Sequence, residues 1–132
     1  MAQAGVASDL VSLGFSDHSE VPFEPLGCMR EEDYSRYQNE IAELRACFEG
    51  KTELLCGLEL DSFSREPEME FDYIIGSVHY VKAGDDIFYV DNRVEDQISF
   101  TERYGRGDLN EFARRYYDEL ARMAQRGNFQ VL

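Results

Sequence analysis

Positive charge is scarce in this chain: 13 lysines and arginines stand against 27 aspartates and glutamates, a formal balance of −14. A field of that sign repels phosphate backbones and argues against nucleic acid as a partner. It also repels a phosphorylated small molecule, unless metal ions or local arginines reverse the potential at one place. Cysteine is nearly absent. Cys28, Cys47 and Cys56 are odd in number and never closer than nine residues apart, which excludes a disulfide framework and a Cys-x-x-Cys motif and fits a reducing cytoplasm. No apolar run approaches the roughly 18 residues of a membrane span. The N-terminus also lacks a basic region followed by an apolar one, so no membrane contact is expected. Histidine is reduced to His18 and His79, and any chemistry that needs imidazole rests on those two positions.

What is present suffices for one domain, with 43% apolar residues over 132. Val6, Leu10 and Leu13 recur at helical spacing and predict a first helix closed by Gly14. Phe15 to Ser19 reads as a short strand, and Pro22, Pro25 and Gly27 mark a loop long enough to cover something. Tyr34, Tyr37, Ile41, Leu44 and Phe48 recur at three and four, predicting an amphipathic helix from about Arg30 to Glu49. Glu53 to Asp61 and Phe71 to Val81 are nearly continuous apolar runs, the pattern of strands covered on both faces as in parallel sheets. Ala83-Gly84-Asp85-Asp86 turns the chain into a hairpin-like segment, Ile87 to Val90. Val94 and Ile98 mark a short helix. Asp108 and Glu111 form a capping-box pattern for a final helix running to Gly127, with Glu111/Arg115 and Asp118/Arg122 spaced to pair. Phe129 to Leu132 starts another strand. The sum is an α/β fold with a mainly parallel sheet, in which ligands gather at the C-terminal strand ends.

Three successive strands end in potential metal ligands: His18, Glu59 and His79. Two imidazoles and a carboxylate on one rim suit zinc, manganese or iron. Taken singly, His79 is either a ligand or a core histidine satisfied by a backbone carbonyl, and His18 is either a ligand or an exposed loop residue. Glu59 is harder to explain structurally, because an ionised carboxylate inside an apolar strand is costly unless a cation or hydrogen bonds compensate.

Three motifs, in this order and spacing, carry a resemblance: Gly14-Phe15-Ser16-Asp17-His18-Ser19, Gly57-Leu58-Glu59-Leu60-Asp61, and Asp72-Tyr73-Ile74-Ile75-Gly76-Ser77-Val78-His79-Tyr80-Val81. The chain resembles the PHP (polymerase and histidinol phosphatase) superfamily, and within it the histidinol-phosphatase branch. The resemblance implies a distorted (β/α)7 barrel that holds up to three divalent metals and hydrolyses a phosphate monoester, in this branch L-histidinol phosphate of histidine biosynthesis, with a metal-activated water. It implies that His18 and His79 are metal ligands, that Glu59 is the carboxylate bridging two metals, and that Asp17 orients the neighbourhood of His18. Arg93 and Arg103, which follow the His79 strand, are the candidates for holding phosphate.

The chain departs from that family in lacking the initial His-x-His strand and the later histidine and Asp-x-His strands. The expectation is therefore a single partial domain over residues 1–132, about half a barrel, with weak or absent metal binding, no useful turnover alone and an open sheet edge that invites self-association. Two other readings stand beside it: a PHP hydrolase acting on a different phosphoester, and a non-catalytic degenerate module kept for interaction.

Overall fold

The computed structural model describes all of residues 1–132 and holds two β-sheets with flanking helices. In chain order the elements are α1 (Ala2–Ala7), β1 (Ser12–His18), a 3-10 turn (Glu31–Asp33), α2 (Tyr34–Cys47), β2 (Glu53–Asp61), β3 (Tyr73–Ser77), β4 (Tyr80–Ala83), β5 (Asp86–Tyr89), α3 (Val94–Arg103) and α4 (Asn110–Arg126). The first sheet has the order β1-β2-β3, parallel throughout, with His18 beside Glu59 and Asp61 beside Ser77. Val131 adds an isolated parallel bridge to Ile75, so the expected terminal strand is a single rung. The second sheet is the β4–β5 hairpin, turned at Gly84 with φ of 60°. A mixed α/β chain with a parallel sheet matches the sequence reading. The barrel implied by the resemblance is not shown: three parallel strands and a separate hairpin stand in these 132 residues.

The alternation of β2 sorts the two faces of the parallel sheet. Leu58 and Leu60 are fully buried and meet Tyr34 of α2 and Met123 of α4, with Val78, in one core. Register puts Gly57, Glu59 and Asp61 on the other face, together with Gly14, Ser16 and His18 of β1 and Tyr73, Ile75 and Ser77 of β3. A second core of Val81, Ala83, Phe88, Phe100 and Phe112 seats the hairpin on α3 and α4, and Tyr116 packs against both cores. No helix is long and apolar enough to cross a membrane.

Four local expectations are corrected. The first helix ends at Ala7, not at Gly14: Asp9 reverses the chain with φ of 53°. The β1 ladder then takes up Leu13 and Gly14, opposite Leu54 and Leu55. The Phe71–Val81 run is two strands in different sheets. β2 offers no partner beyond Asp61, and the backbone of His79 instead binds the Asp61 carboxylate through its N–H and Val90 through its carbonyl. The Asp108 carboxylate accepts from the Asn110 N–H at 2.9 Å, while Glu111 turns to Arg114 and Arg115, so no reciprocal box forms. Arg122 pairs with Glu119, not Asp118, whereas the Glu111/Arg115 pair is present at 3.3 Å.

Glycine at position 57 is a packing requirement. The Tyr73 ring lies across Gly57 and Gly14, and a Cβ on Gly57 would sit 2.3 Å from the Tyr73 Cζ. Gly57→Ala is therefore expected to cost about 1–3 kcal/mol by overpacking, read as a lower urea midpoint. In a Tyr73→Ala background the same change should cost much less, because the two residues share one space.

Candidate metal centre

The parallel register delivers the cluster. β1 ends on His18 directly beside Glu59 of β2, and Asp61, two residues further along β2, points to the same face. The chain leaves β3 after Ser77, and the two-residue crossing to β4 swings His79 back over the end of β2. The His79 Nε2 then lies 3.1 Å from Glu59 Oε1, and the His18 Nδ1 lies 3.7 Å from Glu59 Oε2. The two imidazoles meet edge to face, with ring centroids 5.0 Å apart.

One ligand atom from each of His18, Glu59 and His79 falls within 4.8 Å of the others. Donors sharing an ion at about 2.0–2.2 Å sit roughly 3–4 Å apart. The group could hold a transition-metal ion through three protein ligands once its widest separation closes to that range. The His18 side chain is 45% exposed and those of Glu59 and His79 are 23% and 22% exposed, leaving the point between them open to solvent on one side.

Behind His79 stands a residue with no assigned role in the sequence reading. The Asp61 side chain is 4% exposed, and its Oδ2 accepts from the His79 backbone N–H at 3.0 Å and lies 3.2 Å from the ring Nδ1. Its Oδ1 accepts from the Phe63 N–H at 2.8 Å. A carboxylate on Nδ1 fixes the ring and leaves Nε2 facing Glu59, the arrangement that orients metal-ligating histidines. The Asp61 backbone N–H donates to the hydroxyl of Ser19, which is fully buried and bonds Ser64 at 2.7 Å. The segment after β1 and the loop after β2 are thereby both tied to Asp61, the first through its main-chain N–H and the second through its carboxylate. The signal was available: Asp61 is two residues past Glu59 in a strand and so shares its face.

The other predicted residues lie outside this cluster. Asp17 alternates to the opposite face and accepts the His18 backbone N–H at 2.9 Å, touching the ligand through its main chain. Arg103 is taken by Asp86 on the hairpin. Arg93 stacks over the Tyr89 ring, 5.9 Å from its centroid, and Tyr89 lines the pocket beside the cluster.

No family model matches the chain. The chain is similar to a probable histidinol-phosphatase of Deinococcus radiodurans, 28% identical over 141 residues that take in 99% of this chain. The likeness points to a PHP-like family. The alignment covers 51% of the relative, so the chain spans about half the length of the curated protein it matches.

The hydrogen bond that the His79 ring gives to Asp61, opposed by burial and supported by the Asp61, Glu59 and Asp91 charges, raises the His79 pKa above its ordinary value of 6.5. A raised folded value means that the imidazolium stabilises the metal-free chain fully below the unfolded pKa, and that this contribution is lost as pH rises through the folded one. Asp61→Asn should bring the His79 titration down, seen in the pH dependence of its ring proton resonances. The same variant should weaken zinc binding about 10- to 100-fold, as losses behind a ligating histidine do.

Proposed function

We propose that this chain supplies one wall of a metal-dependent phosphoesterase of the histidinol-phosphatase type, whose substrate is L-histidinol phosphate. The observation that carries the reading is the convergence of His18, Glu59 and His79 around one point, with Asp61 holding the ring of His79 from behind. The name of the relative supports it, and the relative's greater length fits a site completed by further residues.

Two carboxylates and two imidazoles meet here without a lysine or arginine among them, so the donor set is short of positive charge. Zinc, manganese or iron, up to three ions in the complete family site, would supply that charge and a water acidified for attack on phosphorus. In this reading His79 offers Nε2, because Nδ1 is committed to Asp61. His18 offers its ring from the end of β1. Glu59 presents one oxygen toward each imidazole and would hold the metal through that carboxylate. Asp17 steadies the His18 main chain. Arg93 is the better placed of the two arginines to meet phosphate, since it lies against a pocket residue while Arg103 is occupied by Asp86.

The test is a zinc and manganese titration of the purified chain, followed by phosphate release from L-histidinol phosphate. Weak but saturable binding that disappears in Glu59→Gln and His79→Ala is the expected result. Turnover should fall far below that of the full-length Deinococcus relative. No metal above background at any loading would favour the non-catalytic module. Turnover matching the full-length relative would refute the claim that the site needs further walls.

A further inference from the structure

The segment that leaves β1 reaches across to the hairpin and carries a contact that the metal reading leaves unused. Its two roots are fixed. Ser19 is fully buried and bonds Asp61 and Ser64, and Val21 is buried beside it. On the far side the Met29 N–H donates to the His18 carbonyl at 3.0 Å, and Arg30 pairs with Glu20. Between the roots, residues 22–28 are held largely by one another: the Leu26 N–H donates to one oxygen of the Glu24 carboxylate, and the Cys28 thiol donates to the Glu24 carbonyl at 3.3 Å. One hydrogen bond runs from this tip to the hairpin, from the Tyr89 hydroxyl to the other oxygen of Glu24. The Phe23 ring meets those of Phe63 and Tyr80 edge to face, yet the residue is exposed.

The Glu24–Tyr89 bond joins two walls of one cavity. About 350 Å³ lies between the tip, which offers Glu24 and Cys28, and the hairpin, which offers Tyr80 and Tyr89, and His18 and His79 stand in the same lining. The bond also keeps its own partners in the right state. It is the first cause that holds the Glu24 carboxyl below the usual range and the first that pushes the Tyr89 phenol up, so acceptor and donor persist around neutral pH. Gly27, with φ of 84° and open space around it, turns the chain back toward the second root. An exposed tip between fixed roots, tied across by a single bond, opens locally at far lower cost than the core.

We propose that residues 22–28 form a strap latched across the cavity by Glu24 and Tyr89, and that release of the latch opens the ligating edge to incoming ligand. What the opening serves rests on the metal reading of the neighbouring cluster. The latch itself governs the rate of entry and exit.

The experiment uses the whole chain without added metal and takes its cysteines as reporters. Cys28 is half-buried at the strap, Cys47 is exposed on α2, and Cys56 is buried in β2. Alkylation by iodoacetamide is timed by peptide mass spectrometry in the unmodified chain, Tyr89→Phe, Glu24→Ala and the double variant. Phenylalanine keeps the ring beside Tyr80 and removes only the hydroxyl. Tyr89→Phe should speed Cys28 about two- to tenfold, the worth of one hydrogen bond, and leave Cys47 and Cys56 unchanged. Glu24→Ala should also speed Cys28, and adding Tyr89→Phe to it should change little, because both remove one contact. Modification of His79 by diethyl pyrocarbonate should rise with Cys28. An unchanged Cys28 in Tyr89→Phe, additive effects in the double variant, a rise shared by Cys56, or a faster Cys28 with an unchanged His79 would each overturn the strap. Zinc titration of the same samples separates the two claims: a latch that opens on a chain without zinc affinity sinks only the metal reading, and zinc binding with unchanged reactivities sinks only this one.

Discussion

The contact on which the site depends is the one between the buried carboxylate of Asp61 and the imidazole of His79. A carboxylate with a 4% exposed side chain must be met by donors, and Asp61 is met by the His79 ring, the His79 main chain and the Phe63 N–H. Those bonds draw the chain out of β3 and set His79 over the end of β2. Through the Ser19 hydroxyl, which takes the Asp61 N–H, the same residue fixes the end of β1 that bears His18. Arg126, in the last turn of α4, bonds the carbonyls of Ser62 and Ser64 and pairs with Glu66, holding the loop after Asp61 from the helix side. The carboxylate and main chain of Asp61 together thus join the ends of β1 and β2 to His79, while Arg126 braces the following loop from α4.

The sheet divides its labour by face. Leu58, Leu60 and Met123 bury the helix-covered side, and that apolar contact supplies the rigidity that ligand positions need. The opposite side carries polar or small residues apart from Leu55, Tyr73 and Ile75, and Tyr73 uses the space left by Gly14 and Gly57. With its acidic surface, a cluster of this kind holds a phosphate only with added positive charge. The overall balance of −14 and a metal-dependent phosphoesterase are compatible for that reason.

Much of this was legible in the residues. The apolar run from Leu54 to Leu60 identified a strand buried in a parallel sheet, and the helical spacing of Tyr34, Ile41 and Leu44 identified α2, because burial imposes those periods. His18 at the end of β1 beside Glu59 was legible from the strand pattern, whereas His79 joins them from the crossing between β3 and β4 and not from a strand end. What the pattern could not convey was partner exhaustion: Phe71 to Val81 is apolar throughout, yet β2 ends opposite Ser77, and the rest of the run joins another sheet. Asp9 in the left-handed region likewise cuts short a helix that the period of Leu10 and Leu13 extends. The role of Asp61 was missed because a strand-terminal acid after a glutamate reads equally as a solvated end, and only the third dimension shows it under His79.

The most direct test of the account is anomalous diffraction at the zinc edge from crystals of the chain soaked in zinc. The account requires a peak about 2.0–2.2 Å from His79 Nε2 and from the Glu59 carboxylate, with His18 turned toward it and Asp61 still on His79 Nδ1. Zinc bound only elsewhere, or His18 and His79 facing away from each other with Glu59 turned to solvent, would contradict it.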